Sequence, residues 1–210
     1  MEVVRTARYW VWGPADAAHT WVVLHGYRQL AGRFIRRFRE LTEQGARVVA
    51  PEALSRFYLD DDGGPHGPDA KVGATWMTRE DRDVEIADYL RYLDALARTL
   101  DLEGQTGALT LLGFSQGAHT AARWFTLGET RFDRLVLWGA GLPHDLDLSA
   151  HAERWRDARV LLVHGHADRA HSEGSRTRDL ERLAAVGVSP HTLAHGGGHA
   201  IDGELLRTLR

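Results

Sequence analysis

Three residues of this 210-residue chain, far apart along it, are of the types that together activate a hydroxyl: Ser115, Asp168 and His199. Ser115 sits in Gly113-Phe114-Ser115-Gln116-Gly117, after an apolar run and before a helical pattern. A strand that turns sharply into a helix strains its apex residue and leaves no room for side chains two positions to either side, which is why glycine flanks the serine. The turn lifts the hydroxyl above the sheet at a helix N-terminus, where developing negative charge is favoured. Chance is a weak rival. Six serines and 22 glycines in 210 residues predict roughly 0.07 such matches.

A carboxylate and an imidazole must reach that hydroxyl. In this order of motifs the acid follows the serine and the base comes last. Arg159–His164 reads as a strand running into His164-Gly165-His166-Ala167-Asp168. An aspartate just past a strand's carboxyl end shares the rim with the elbow, where it would orient a histidine ring. Asp145 and Asp147 are its rivals, after the preceding strand. The last strand runs into His195-Gly196-Gly197-Gly198-His199. Three glycines let that loop swing a side chain inward, and His199 is the expected base, with His195 as the alternative. Oxyanion donors are expected from the backbone N–H of Gln116 and from that of Tyr27, in Leu24-His25-Gly26-Tyr27 after an early strand. Trp76 and Met77, with Leu142 opposite, are candidates for the walls of a substrate pocket. Ordinary core packing explains such residues equally well.

The elements that must position these groups are legible as alternation. Apolar runs at Ala7–Trp12, Thr20–Leu24, Arg47–Ala50, Ala108–Phe114, Arg134–Trp138, Arg159–His164 and Ser189–Ala194 read as strands. Several are apolar throughout, which suits strands covered on both faces. Helical spacing appears over Ala31–Glu43, Arg79–Leu100, Gln116–Phe125, Ser172–Ala185 and Ile201–Leu209, with Thr78 and Asp81 resembling a capping box. The expectation is an α/β fold: a mostly parallel, doubly wound sheet of about seven strands with helices on both faces. Ser55–Thr78 reads as a long surface loop. Its Asp60-Asp61-Asp62-Gly63-Gly64 lacks the spacing of a calcium loop and suits a solvated turn.

Composition sets the outer bounds. Hydrophobic residues make up 43% and charged residues 26%, with a formal net charge of -3. These values suit a soluble globular chain with one domain over 1–210. They suggest neither nucleic acid nor an anionic membrane as a partner. No apolar stretch has the length of a membrane span, and no secretory leader is legible at Met1–Arg8. Cysteine is absent, which removes disulfides and a thiolate nucleophile and fits a cytoplasmic location. Twelve histidines raise a metal-dependent alternative through His164 and His166 or His195 and His199. No His-Glu-x-x-His helix supports it, so neither metal nor organic cofactor is expected.

Taken together, Leu24-His25-Gly26, Gly113-Phe114-Ser115-Gln116-Gly117, His164-Gly165-His166-Ala167-Asp168 and Gly197-Gly198-His199 resemble the phospholipase/carboxylesterase family, which includes the acyl-protein thioesterases. The resemblance spans nearly the whole chain. It implies the α/β-hydrolase fold without a large lid, and cleavage of carboxylic ester or thioester bonds in a small-molecule ester or an acylated substrate; the sequence leaves monomer and homodimer both open. Val72–Arg82 departs from the thioesterases and resembles a branch of small bacterial esterases. The reading from a different class is a non-catalytic binding protein on the same scaffold.

Overall fold

The computed structural model describes residues 1, 3–59, 65–104 and 107–209. The acidic run at 60–64 lies outside them. Nine strands are described: β1 Tyr9–Trp12, β2 His19–Leu24, β3 Arg47–Pro51, β4 Ser55–Tyr58, β5 Val72–Thr75, β6 Ala108–Phe114, β7 Arg134–Trp138, β8 Arg159–Gly165 and β9 His191–His195. Seven form one sheet in the order β1-β3-β2-β6-β7-β8-β9, and β4 and β5 form a separate pair. Only β1 runs antiparallel to its neighbour in the large sheet. The expected mostly parallel, seven-stranded α/β sheet is therefore present.

The helices are α1 Ala31–Phe34, α2 Arg39–Glu43, α3 Arg82–Thr99, α4 Gln116–Leu127, α5 Ala152–Asp157, α6 Glu173–Ala185 and α7 Gly203–Thr208. They cover both faces, and the period of two along each strand divides the core accordingly. Val22 and Leu24 of β2 pack with Leu93 of α3 and Ala118 and Trp124 of α4. Trp21 and Val23 of the same strand pack with Phe34 of α1, Phe38 and Leu206 of α7 on the other face. Trp21, Trp124, Trp138 and Trp155 are fully buried. Trp124 donates its indole N–H to Asp94 Oδ1 at 2.7 Å, and that buried carboxylate also accepts the Glu129 amide at 3.1 Å.

Three expectations are corrected. Ser55–Thr78 is not all loop, because β4 and β5 pair antiparallel from Ser55 opposite Thr75 to Tyr58 opposite Val72. The helix expected over Ala31–Glu43 is interrupted by a 3-10 turn at Ile35–Phe38. Ile35 and Phe38 are both buried there, and the three-residue turn brings them to one side. The capping box at Thr78 and Asp81 does not form. Asp81 adopts a left-handed φ of 44° and caps nothing with its side chain, so α3 begins at Arg82 while the Thr78 hydroxyl accepts the Glu80 amide at 3.2 Å.

The topology determines where a site can form. From β2 the chain moves outward to β3 and then crosses back to β6 on the other side of β2. The carboxyl ends of β2 and β6 thus flank the point where the winding reverses, where loops diverge and leave a crevice. Leu24 and Gly113 are register partners at that edge.

Candidate active site

Ser115 stands at the end of β6 with φ 55° and ψ -121°, a conformation L-residues seldom adopt. Its amide donates to Trp138 O at 2.9 Å, and its carbonyl accepts the Ala118 amide at 2.9 Å, so β7 and the first turn of α4 pin both sides of the apex. The flanking glycines are sterically required. A Cβ on Gly113 would meet Gly117 O at 2.2 Å, and one on Gly117 would meet Leu24 O at 2.2 Å. Gly26 is pressed against the serine itself, since a Cβ there would lie 3.1 Å from Ser115 Cβ.

His199 Nε2 lies 2.8 Å from Ser115 Oγ, and His199 Nδ1 lies 2.8 Å from Asp168 Oδ2. Burial pushes the Asp168 carboxyl up, but the hydrogen bonds from His199 and from the Ala170 amide outweigh it and hold the group below its ordinary range. An ionised carboxylate only accepts hydrogen bonds. Nδ1 of a neutral His199 must therefore donate to it, which leaves the Nε2 lone pair to accept from the Ser115 hydroxyl. This chain of bonds can pass the hydroxyl proton to the ring and stabilise the resulting imidazolium. Asp168 is 1% exposed at its side chain and His199 is 33% exposed, so the acid is walled off while the base faces solvent. The ring of Phe114 packs against His199 with centroids 4.9 Å apart.

Close backbone packing aims the imidazole. Gly165 lies under the histidine loop, where a Cβ would meet Gly197 O at 2.3 Å. The Ala167 amide donates to Gly197 O at 3.0 Å, and Trp138 Nε1 donates to Ala200 O at 3.0 Å. Gly139, at φ 68°, passes beneath the pair, and a Cβ there would lie 3.0 Å from His199 Cε1 and 3.4 Å from Asp168 Oδ2. Sequence reasoning missed Gly139. The signal was available in Trp138-Gly139-Ala140-Gly141, directly after a strand that ends on the same rim.

Geometry separates the rivals. Asp145 is engaged by Arg82 and Arg123 at 2.5 and 2.9 Å, and Asp147 by Ser149 at 2.7 Å. His195 packs on Trp138 and accepts the Gly197 amide at 3.2 Å. His164 and His166 stand edge to face, 6.1 Å apart. Among the described residues no group of three His, Cys, Asp or Glu side chains is arranged to hold a metal ion.

The loop after β2 is braced from below. His25 Nδ1 donates to Gly26 O at 2.8 Å and its Nε2 accepts the Ala53 amide at 3.1 Å. Burial pushes this imidazole down to about 4, so it stays neutral and keeps both bonds. Arg28 donates its amide to Ala74 O at 3.0 Å and Tyr27 stacks on Phe57, which hangs the loop on β5 and β4. Among the described residues, neither the Tyr27 amide nor the Gln116 amide donates to a protein acceptor. Sequence reasoning also missed the Gln116 side chain, which clamps the segment after β5. Its Nε2 donates to Met77 O at 2.8 Å and its Oε1 accepts the Trp76 amide at 3.1 Å.

The three pocket candidates part company. Met77 and Leu142 line a cleft with Gln116. Trp76 is 3% exposed within the core, donates its indole N–H to His25 O at 2.8 Å and packs on Tyr89.

Over residues 17–202 the sequence matches the serine hydrolase family FSH1. The chain belongs to that family. Its relatives include the mouse (Mus musculus) protein Esterase OVCA2, 28% identical over 193 residues that cover 84% of this chain and 83% of the relative. Similar solved structures include maize (Zea mays) acyl-protein thioesterase 2, with a TM-score of 0.75, 22% identity and coverage of 97% and 96% of the two chains. A phospholipase/carboxylesterase from Dyadobacter fermentans has a TM-score of 0.69 and 16% identity, covering 99% and 96%. These two likenesses show the α/β-hydrolase fold, and the family match makes the chain a serine hydrolase. Among the described residues no helix is long and apolar enough to cross a membrane.

Proposed function

We propose that this serine hydrolase cleaves carboxylic ester or thioester bonds through an acyl-enzyme, with Ser115 as nucleophile, His199 as general base and acid, and Asp168 as the group that orients the ring. The observation that carries the reading is the unbroken chain Ser115 Oγ, His199 Nε2, His199 Nδ1, Asp168 Oδ2, with both links at 2.8 Å.

The steps follow from that chain. His199 Nε2 takes the hydroxyl proton as Ser115 Oγ bonds to the acyl carbon. The carbonyl electron pair moves onto oxygen, where the amides of Tyr27 and Gln116 receive it. The tetrahedral adduct collapses, the bond to the leaving alcohol or thiol breaks, and His199 delivers the proton to it. Water then attacks the acyl-enzyme by the same route and frees the acid and Ser115. Each oxyanion donor accounts for roughly a hundredfold in rate. No metal or organic cofactor enters any step.

Ser115→Ala tests the assignment. Turnover of a p-nitrophenyl ester should fall by about 10⁶-fold while the melting temperature stays close to that of the parent. Parent-like turnover by the variant would refute the nucleophile. Absence of turnover in the parent, with fold intact, would favour the reading of a binding protein on a hydrolase scaffold.

A further inference from the structure

The cleft that opens at Gln116, the residue after Ser115, is lined in a way the proposed reaction does not require. It begins at Gln116 and runs along one face of α4, because Gln116, His119, Thr120 and Arg123 all line it and are spaced to share a face. Its volume is about 340 Å³. A second cavity of about 450 Å³ adjoins it, with His119, Leu142 and His144 on both walls. His199 lines neither. In the proposed reaction the leaving group must lie beside His199 to collect its proton, so the arm that enters this cleft is the acyl arm.

The charge of the lining is lopsided. Arg82 and Arg123 line the first cavity, and Arg178 and Arg182 line the second. Three carboxylates answer them, the first being Asp83, exposed to solvent and 3.3 Å from Arg82. Asp145 is shared between Arg82 and Arg123. Asp179 is taken up by His171, whose Nε2 lies 3.1 Å from its Oδ2. Among the described residues Arg178 and Arg182 have no carboxylate partner. Arg178 donates to Ser175 Oγ at 3.1 Å, and Arg182 donates to the carbonyls of Pro143 and Leu146 at 2.8 and 2.5 Å. Four guanidinium groups against three carboxylates, one of them the solvent-exposed Asp83, leave a positive potential in a concave site, where low-dielectric walls concentrate it. A long aliphatic acyl chain would have to displace water from these groups without replacing its hydrogen bonds, which is unfavourable. A carboxylate would instead be met by forked donors shaped for it.

We infer that the acyl arm this cleft selects ends in a carboxylate, so that the preferred substrates are monoesters or monothioesters of short dicarboxylic acids. The reach is compatible. From Gln116 to Arg123 the helix axis advances about 10 Å, the scale of a short dicarboxylic chain. This inference rests on the proposed reaction for the direction of the acyl arm, but the anion site can be measured without turnover.

The test pairs two readouts on the parent, Arg178→Gln and Arg82→Gln. Arg178 is exposed and holds only a serine, so its variant retains the fold. First, the mono-p-nitrophenyl ester of adipic acid is compared with its neutral methyl-capped analogue, with background hydrolysis subtracted. The parent should favour the anion by about tenfold or more in kcat/KM, chiefly through KM. The preference should shrink in each variant and weaken as salt is raised. Second, monomethyl adipate is titrated into the three proteins by calorimetry, and it should bind the parent several-fold more tightly than either variant. Equal use of the two esters by the parent, or a preference that both variants keep in full, would overturn the inference while leaving the esterase reading standing. Binding of monomethyl adipate that depends on the arginines, with neither ester turned over, would uphold the anion site and sink the esterase reading instead.

Discussion

At Ser115 the backbone strain and the steric crowding of its neighbours have the same origin. The apex can hold φ 55° only because the surrounding backbone over-determines it. Any side chain at Gly113 or Gly117 would collide with backbone oxygen at 2.2 Å. Gly117→Ala should therefore cost several kcal/mol of stability and abolish activity, and chemical denaturation beside rate measurement would show both losses together. Asp168→Asn isolates the acid. The amide is close to isosteric and can offer Nδ1 a donor in place of an acceptor, which favours the wrong histidine tautomer. The expected loss in kcat is about 10⁴-fold with the fold retained. A loss below tenfold would remove Asp168 from the proposed mechanism. Fluorescence or circular dichroism melting would confirm that the variant remains folded.

Two elements outside the large sheet hold the rim in place, and both depend on buried polar partners. Glu52, fully buried at its side chain, pairs with Arg8 at 2.5 Å and Arg56 at 3.2 Å, and its Oε2 accepts the Ala31 amide at 3.2 Å at the start of α1. Glu52→Ala leaves that amide without its acceptor and opens space beside it. We expect a loss of about 2 kcal/mol in unfolding free energy, measured by urea titration. Gln116 ties α4 to the segment after β5. Gln116→Ala keeps its amide available but releases Thr75, Trp76 and Met77, so a destabilisation of about 1 to 2 kcal/mol should accompany a higher KM. The seven strands of the large sheet were legible because continuous apolar runs such as Leu109–Leu112 admit little else. The β4–β5 pair was not. Ser55-Arg56-Phe57-Tyr58 is short, alternates between half-buried and exposed and carries an arginine, so its pairing is decided by the β2 loop packed against it. Helix α5 was equally hidden, since only Trp155 of its six residues is buried and no period can be read from one residue.

Across the whole molecule, the rim residues 115, 168 and 199 were legible because each follows a recognisable strand and sits among glycines. Arg82, Arg123, Arg178 and Arg182 were not, because arginines spread over three separate helices share no period along the chain and only the folded chain gathers them. Two histidines, His25 buried and His119 half-buried, make stability depend on pH. Burial pushes His25 down to about 4, and burial with Arg123 nearby does the same to His119. In the unfolded chain both would titrate near 6.5. Between about 4 and 6.5 the unfolded state therefore binds more protons, and stability falls as pH is lowered through that window. His25 alone should contribute about 3 kcal/mol of that loss, seen as a melting temperature that drops steadily from neutral pH to about 4. A melting temperature flat across that window would contradict the neutral state assigned to these rings.

The central claim is that one hydroxyl, set at a strained elbow and bonded to His199, is chemically activated. A fluorophosphonate probe measures this directly, because it reacts with an activated serine and leaves ordinary serines untouched. Incubation of the native protein, proteolysis and mass analysis of the peptides should find one equivalent of phosphonyl on the peptide containing Ser115. The label should be absent from heat-unfolded protein and from Ser115→Ala. Native protein that stays unlabelled, or a label carried by a different residue, would contradict the account.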